Sequence, residues 1–394
     1  MVSANDAPEA ARPTLLILSF VPIDGDPRVI KQVRRFVDEY DVTTCSPGPS
    51  PHPGVTHIEI RGDHTPPRGI GTRILDEVAL RTEWFRRMYF QSPGVIETIH
   101  LLQGRRFDAV IANDAETVGV ACRLFGADRV HADLHEFFPD MGFEDSTMGK
   151  RHQRYWTWMT KELVSPAVSS TTVGASIAAR YHEYGLRPGV VTNSTHLRDL
   201  PYRPVGSTIR LVHSGNPFHE RSLEEIMRAV AASPVDVSFD LYLTWHPEKD
   251  RARFVEIAEE LGPRITVHDP VPQSILIETL NEYDLGIHIL QPVSTNNVMA
   301  LPNKFFDYVQ ARLGIIVGPS VEMAKIVREH GLGVVTDGFD EKAIARTVDA
   351  LTPERVNEFK QAAMQSAEAL SAERQVEVWA DAVREIVRRT RDAG

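Results

Sequence analysis

Cysteine is scarce in this sequence, with only Cys45 and Cys122 among 394 residues. Two cysteines are too few for a disulfide framework or a zinc site. Both lie in apolar runs, which predicts packed thiols without a catalytic role. A fold that is held together by several disulfides, or by zinc bound to cysteines, is therefore excluded.

Other features are absent as well. No stretch approaches the roughly 18 consecutive apolar residues of a membrane span. The first 13 residues contain no apolar segment of a secretory signal, so we expect a cytoplasmic protein. A net charge of -11 leaves no broad basic face, which argues against nucleic acid as a partner. Neither a Walker A loop nor a GxGxxG string occurs, so NTPase and dinucleotide-binding functions lack specific support.

What the sequence does contain is a regular alternation of short apolar runs and amphipathic segments. The run at 14–20 predicts a buried parallel strand, and the next segment, 28–40, carries one apolar helical stripe. The alternation continues to residue 193, restarts at 208 and extends to about 330. We therefore predict an α/β protein with two Rossmann-like, doubly wound domains.

The domain bounds follow from this alternation. We predict a disordered tail over 1–13, a first domain over 14–200 and a second over 206–375. Segment 199–207 has two prolines and a glycine and would connect them. Residues 376–394 would form a helix that crosses back to the first domain.

An insertion at 64–106 interrupts the first array and carries seven arginines and four acidic residues. Its aromatic part combines apolar and cationic side chains: Trp84, Phe85, Met88, Tyr89 and Phe90 with Arg81, Arg86 and Arg87. One interpretation is a long crossover helix that packs its aromatics on the sheet. The other is a docking surface for an anionic acceptor, or peripheral contact with the inner face of a membrane.

Ligands of open α/β sheets bind beyond the carboxyl ends of the strands. After the first strand, Gly25 precedes a helix whose free N–H groups could face a diphosphate. Asp24 and Asp26 spell a DxD metal string, but in this loop we expect no metal and interpret Asp26 as a helix N-cap.

Polar residues follow two further strands of the first array. Asp114 directly follows the run 107–113, and His135 and Glu136 directly follow the run 129–134. In the second array, a strand leads to Gly215, Asn216 and Arg221, and a later turn leads to Asn303, Lys304 and Asp307. Cations beside backbone N–H groups suit a diphosphate.

In this order the segments resemble GT-B glycosyltransferases of family four (glycosyl transferases group 1) over most of residues 14–350. The resemblance implies two domains facing a central cleft. It places His135 by the sugar and Asp307 at the ribose of the nucleotide. It implies diphosphate contacts from Gly25, Gly215, Asn216, Arg221, Asn303 and Lys304, and sugar or acceptor contacts from Asp114, Glu136, Asn296 and Asn297.

Two positions depart from the family pattern. Asn216 stands where the family has a first diphosphate-binding cation. Met299 stands where it has the first glutamate of an E-x7-E motif, so that Asn296 and Asn297 are the nearest polar substitutes.

The resemblance implies transfer of a sugar from a nucleotide diphosphate sugar, with retention and with neither metal nor other cofactor. The acceptor would be a glycan, a lipid-linked sugar or a small molecule. Two alternatives stay open. One is a GT-B-like binding or partner protein without catalysis, and the other is a sugar-nucleotide 2-epimerase.

Overall fold

The computed structural model describes residues 11–65, 69–141, 145–244 and 249–392. The chain divides into two compact units. Unit 1 contains the residues up to Val173, Ile177–Val191 and the residues from Val376 onward, and unit 2 contains Gly174–Ser176 and Thr192–Gln375. Segment 199–207 belongs to unit 2 in this division. The tail predicted as disordered, 1–13, lies outside the described residues except for 11–13.

Unit 1 is built on a seven-stranded parallel sheet. Its strands are β1 (Thr14–Leu18), β2 (Asp41–Ser46), β3 (Thr56–Glu59), β4 (Ala109–Asn113), β5 (Val130–Leu134), β6 (Ser169–Thr172) and β7 (Gly189–Val190). They lie in the order β3-β2-β1-β4-β5-β6-β7. Every residue of β4 and β5 is buried. Burial of both faces explains why these strands read as continuous apolar runs.

Helices connect these strands. They are α1 (Pro27–Phe36), α2 (Ile70–Arg81), α3 (Phe85–Phe90), α4 (Pro93–Leu102), α5 (Ala115–Phe125), α6 (Thr147–Met159) and α7 (Ala175–Tyr181). The Asp26 side chain accepts hydrogen bonds from the backbone N–H groups of Arg28 and Val29 at the start of α1. The interpretation of Asp26 as an N-cap is therefore confirmed.

The long crossover helix predicted within 64–106 is wrong, because three helices occupy this region. Glu83, with φ of 57°, turns the chain between α2 and α3, and Pro93 begins α4. The predicted core packing holds for two aromatics, since Phe85 and Tyr89 are buried. The Tyr89 hydroxyl accepts from the N–H of Val120 at 2.8 Å. The remaining aromatics of the segment are at least partly accessible.

Unit 2 repeats the architecture with six parallel strands. They are β8 (Ile209–Gly215), β9 (Val237–Leu243), β10 (Ile265–His268), β11 (Leu285–His288), β12 (Gly314–Val317) and β13 (Gly333–Val335), in the order β10-β9-β8-β11-β12-β13. The helices are α8 (Leu223–Ala232), α9 (Lys249–Leu261), α10 (Gln273–Leu280), α11 (Thr295–Val298), α12 (Asn303–Gln310), α13 (Val321–His330), α14 (Glu341–Asp349), α15 (Pro353–Ser366) and α16 (Ala372–Gln375).

A last helix, α17 (Glu377–Asp392), belongs to unit 1. Its Trp379 and Val383 pack in one cluster with Phe36 of α1. No described helix is long and apolar enough to span a bilayer. In each sheet the strand order reverses beside the first strand, next to β1 in unit 1 and β8 in unit 2. The prediction of two Rossmann-like, doubly wound α/β domains is confirmed.

Candidate functional site

A pocket of about 290 Å³ lies in unit 2, at the carboxyl ends of β8 and β9. This is where ligands bind in doubly wound sheets. It is lined by Ser214, Gly215, Asn216, Arg221, Tyr242, Thr244, Pro270, Val271, Gln273, Leu276, Pro302, Asn303, Lys304 and Asp307. Six of these residues were predicted from the sequence as nucleotide contacts, and the structure brings them together around one cavity.

Gly215 lets two cations approach the end of β8. A Cβ added at this residue would lie 2.9 Å from Lys304 Nζ and 3.2 Å from Arg221 Nη1. The backbone also has a φ of 117°, which disfavours any residue with a side chain. Both the space and the backbone conformation therefore require glycine, and two positive side chains converge on it.

Arg221 is held in position by the loop that follows β8, to which it also belongs. It ends a short 3-10 turn, His219–Arg221, and its Nη1 donates to the carbonyl of Asn216 at 2.9 Å. The Asn216 side chain in turn accepts a hydrogen bond from the Thr244 hydroxyl. The backbone carbonyl of Asn216 thus helps to fix the Arg221 guanidinium in the pocket.

Lys304 is positioned by a buried histidine that sequence reasoning missed. Its Nζ lies 3.2 Å from His213 Nε2, while His213 Nδ1 lies 2.9 Å from the carbonyl of Ile287. A carbonyl can only accept, so Nδ1 carries the proton and Nε2 accepts from the ammonium. Burial, together with the charges of Lys304 and Arg221, lowers the pKa of His213 well below its usual value. The ring is therefore neutral.

The negative charge near the two cations is weak compared with their burial: Asp307 favours the charged form of Lys304 and Glu220 that of Arg221, but in neither case does this outweigh burial. In the described part of the chain, neither forms an ion pair with a carboxylate. Burial and the charge of Arg221 lower the pKa of Lys304 well below its usual value, and burial also lowers that of Arg221. A bound anion would relieve this cost, because opposite charge favours the ionised form of each group. The pocket is therefore suited to an anionic ligand.

The start of α12 adds backbone donors to the same pocket. Pro302 is its N-cap and no side chain caps the first turn. Uncapped N–H groups and the helix dipole favour negative charge. One turn later, the Asp307 carboxylate lines the pocket and accepts a hydrogen bond from the Thr195 hydroxyl. The cationic end of the pocket thus lies beside an acceptor for hydroxyl groups.

The remaining wall is largely apolar. Pro270, Val271 and Leu276 line it together with Tyr242, whose ring stacks on His268 with centroids 4.6 Å apart. The Tyr242 and Tyr283 hydroxyls are hydrogen-bonded at 2.9 Å. The pocket therefore combines an apolar, aromatic side with a cationic end, which matches the two chemically distinct halves of a nucleotide.

A second predicted group lies in unit 1, where β4 and β5 end side by side. His135 Nδ1 is 3.4 Å from an Asp114 carboxylate oxygen, and its Nε2 is 3.4 Å from an oxygen of Asp133. Asp114 also accepts from the backbone N–H of His135 at 3.2 Å. Its φ of 65° is uncommon for a residue with a side chain, and strain of this kind concentrates at functional sites.

These carboxylates determine how the histidine titrates. Burial alone would lower the pKa of His135, but Asp114 and Asp133 raise it above its usual value. Burial and the charge of Asp114 raise the pKa of Glu116 to about 7. Glu136, predicted as a contact residue, is exposed, and its carbonyl accepts from the Tyr181 hydroxyl.

A buried network holds Asp133 below this histidine. Arg28 donates to both carboxylate oxygens, at 2.8 and 2.6 Å, and Gln32 donates to one of them at 2.8 Å. Thr171 donates at 2.6 Å, and Trp379 Nε1 lies 3.1 Å from the Thr171 hydroxyl. Although burial opposes ionisation, Arg28 and His135 hold the pKa of Asp133 well below its usual range.

Three other predicted residues lie elsewhere. Gly25 is in the exposed loop before α1 of unit 1, with open space around its Cα. Asn296 and Asn297 are on α11 of unit 2 and do not line the pocket. The Asn297 side chain donates to the carbonyl of Gln291 at 3.2 Å. Met299 is buried. Among the described residues, no group of three or more His, Cys, Asp or Glu could hold a metal ion.

No protein-family model and no curated protein matches the chain. Solved structures do match. HepE of Anabaena in complex with UDP-glucose has a TM-score of 0.68 at 12% identity, covering 95% of this chain and 100% of HepE. Sucrose-phosphate synthase of Thermosynechococcus elongatus has a TM-score of 0.64 at 13% identity, covering 97% of this chain and 100% of that chain.

A trehalose 6-phosphate synthase of Burkholderia multivorans resembles this chain about as closely as the sucrose-phosphate synthase does. Its TM-score is 0.64 at 12% identity, with 98% of this chain and 100% of that chain covered. Similarity at such identities establishes the fold. The chain therefore has the GT-B fold of glycosyltransferases.

Proposed function

We propose that this chain is a glycosyltransferase that moves a sugar from a nucleotide diphosphate sugar to an acceptor, with retention at the anomeric carbon and without a metal. The convergence of Lys304 and Arg221 beside Gly215 carries the proposal. HepE, which shares the fold, is crystallised with UDP-glucose, and this supports a nucleotide sugar as donor. The acceptor is a glycan, a lipid-linked sugar or a small molecule.

The chemistry needs stabilisation of a departing diphosphate. As the bond between the anomeric carbon and the phosphate oxygen breaks, negative charge builds on the phosphate. Lys304, Arg221 and the first N–H groups of α12 meet this charge in a partly buried pocket, where such stabilisation exceeds that in water. His213 and Asn216 hold the two cations in place beforehand. Little reorganisation is then needed during the reaction.

The acceptor must also lose a proton. In the proposed retaining reaction, acceptor and leaving group use the same face of the sugar, and a departing phosphate oxygen takes the proton of the acceptor hydroxyl. No paired carboxylate nucleophile and acid is then required. His135 is proposed to contact the transferred sugar, and its two carboxylate neighbours fix the ring in one orientation.

The function is tested with UDP-glucose as the first donor. We expect calorimetry to detect binding and proton NMR to detect slow hydrolysis or transfer, with early product in the α configuration of the donor. EDTA should leave turnover unchanged. Turnover that EDTA abolishes and Mg²⁺ or Mn²⁺ restores would contradict the metal-free proposal. It would make Asp24 and Asp26 candidate metal ligands. A β product would contradict retention.

One alternative has specific support. Met299 is buried at the position where the resemblance implies a sugar-binding glutamate. This favours a protein that binds nucleotide sugars without transferring them. Tight binding of UDP-glucose with neither hydrolysis nor transfer over a panel of sugar acceptors would select this alternative.

Asp307 provides a test of the ribose contact. Replacing it with Asn keeps the volume but removes the charge, so UDP affinity should fall by about 1.5 kcal/mol or more, the usual worth of a hydrogen bond to a charged group. Calorimetry with UDP and with 2′,3′-dideoxy-UDP measures the effect. The substitution should cost affinity only when the ribose hydroxyls are present.

A control separates this role from the contact with Thr195. Thr195→Val removes the hydroxyl that donates to Asp307 but leaves the carboxylate in the pocket. It should bind UDP nearly as well as the parent. Equal losses for UDP and its dideoxy analogue in Asp307→Asn would assign the residue to local structure instead of ribose binding.

A further inference from the structure

Helix α2 of unit 1 presents an apolar face to solvent. Ile70, Ile74 and Val78 are 78%, 59% and 45% exposed, and Leu75 beside them is 49% exposed. Residues spaced by four lie above one another on a helix, so the first three form one stripe. The opposite side of the helix is covered, since Ala79 and Leu80 are buried. The stripe is therefore the outer face of a helix that packs on unit 1.

Trp84, which follows the end of α2, is a further exposed apolar residue of this region. Its side chain is 59% exposed, whereas the aromatics that follow it, Phe85 and Tyr89, turn into the core. Of the 13 exposed large apolar residues of the described chain, five lie between residues 70 and 84. Exposed apolar side chains scattered singly need no explanation, but a cluster of this kind marks an interaction surface.

The charge around the stripe is positive, against the sign of the whole chain. Six arginines lie on α2 or on the neighbouring helices α3 and α6: Arg73, Arg81, Arg86, Arg87, Arg151 and Arg154. The three acidic residues there are already paired: Glu77 with Arg81 and Arg151, Asp76 with Arg87, and Glu83 with Arg154. The surface therefore keeps a positive excess in a chain of net charge -11.

We propose that the apolar stripe of α2 (Ile70, Ile74 and Val78), together with the exposed Leu75 and Trp84, docks on the surface of a lipid bilayer with anionic headgroups. Apolar residues on one face, arginines around them and a tryptophan at the edge are the features of helices that lie in a membrane interface. The arginines find their complement in the anionic headgroups.

A second copy of the chain fits this surface less well. In a twofold symmetric dimer the same patch meets itself, so arginines would face arginines around a stripe only one helix wide. The proposed docking narrows the surface suggested by the sequence to α2, because of the aromatics named for the insertion only Trp84 is exposed. It does not depend on the proposed transferase function.

Vesicle sedimentation tests the proposal with the full chain. Vesicles of phosphatidylcholine containing about one third phosphatidylglycerol should bind the parent at low salt, and high salt or pure phosphatidylcholine should release it. Ile74→Asn with Val78→Asn should lower binding at least tenfold. Arg73→Gln with Arg86→Gln should lower it by roughly fivefold per arginine. Met364→Asn, which removes an equally exposed apolar residue from α15, should have no effect.

The possible outcomes are distinct. Failure of the parent to bind anionic vesicles at low salt, or equal binding by parent and stripe variants, would overturn the proposal. So would a dimer, seen by sedimentation velocity without lipid, that the stripe substitutions dissociate. Because all substituted residues are exposed, melting temperatures should match the parent. UDP binding should also persist in the variants, so a failed transferase assay would not affect this test.

Discussion

Replacing Lys304 with Met should lower the affinity for UDP by about 1.5–3 kcal/mol, or roughly tenfold to 150-fold. Arg221→Ala should have an effect of similar size. Both side chains lie beside Gly215, where a charge-assisted hydrogen bond to a phosphate oxygen would form. Isothermal titration calorimetry with UDP measures the change.

The same Lys304 substitution should not weaken the fold. Lys304 is buried and forms no ion pair with a carboxylate among the described residues, so its charge costs free energy when no anion is bound. Methionine has a similar length and removes that cost. We expect the free energy of unfolding without nucleotide to stay equal or rise, while nucleotide affinity falls.

The lowered pKa of Lys304 gives a pH signature with a definite sign. Between its folded pKa and its ordinary value, the unfolded chain binds more protons at this residue, so its contribution to stability rises with pH. A diphosphate needs the protonated amine, so UDP affinity should fall as pH rises through the folded pKa. Calorimetry in buffers of different ionisation enthalpy should detect proton uptake, which Lys304→Met should abolish.

Surface residues of the same types serve as controls. Lys325→Ala on α13 and Arg346→Ala on α14 each remove an exposed cation from unit 2. Neither should change UDP affinity measurably. If Lys304→Met and Arg221→Ala bound UDP as tightly as the parent, the diphosphate site would have to lie outside this pocket.

Much of the fold could be predicted because parallel strands buried on both faces leave an unmistakable apolar run. The runs at 107–113 and 208–215 correspond to β4 and β8. Strand β3 was missed because it lies at the sheet edge, and none of its four residues is buried. Strand β13 was missed for the same reason, because it also lies at a sheet edge and has only three residues, none of them buried.

The pocket could be predicted where its residues follow strands directly. Gly215 and Lys304 belong to short segments whose local pattern already suggests a phosphate site. His213 could not be found in this way, because its role depends on an ammonium 91 positions away in the sequence. A single histidine in an apolar strand gives no sign of which side chain will approach it.

The insertion shows a further limit of periodicity. The pattern correctly indicates that Phe85 and Tyr89 can pack in a core. It equally indicates that Ile70, Ile74 and Val78 share a helical face, but not that this face remains uncovered. Which apolar stripe is buried depends on the neighbouring elements, and the sequence of one segment does not contain that information.

The buried pair of Arg28 and Asp133 should produce the largest effect on stability. Asp133→Asn would remove the carboxylate charge that pairs with the buried Arg28 guanidinium. Breaking a buried ion pair by removing one partner typically costs about 3–5 kcal/mol. We expect a loss of that size in the free energy of unfolding of unit 1, measured by urea titration.

Tryptophan fluorescence is a suitable probe for this measurement. Four of the five tryptophans belong to unit 1, and the Trp379 ring lies 4.9 Å from the Arg28 guanidinium. Asp337→Asn is the matched control, because Asp337 pairs with Arg346 on the surface of unit 2. An exposed pair contributes about 0–1 kcal/mol, so this variant should unfold like the parent.

The free energy of unfolding should depend on pH differently in the parent and in Asp133→Asn. The pKa of Asp133 is well below that of a carboxyl in the unfolded chain, so its contribution is complete above the unfolded value and is lost as pH falls through the folded value. Asp133→Asn lacks this contribution at every pH, and the gap between parent and variant should narrow in acid. A gap that stays constant, or a loss below 1 kcal/mol at neutral pH, would mean that Arg28 finds another partner and that the ion pair does not hold the end of β5 in place.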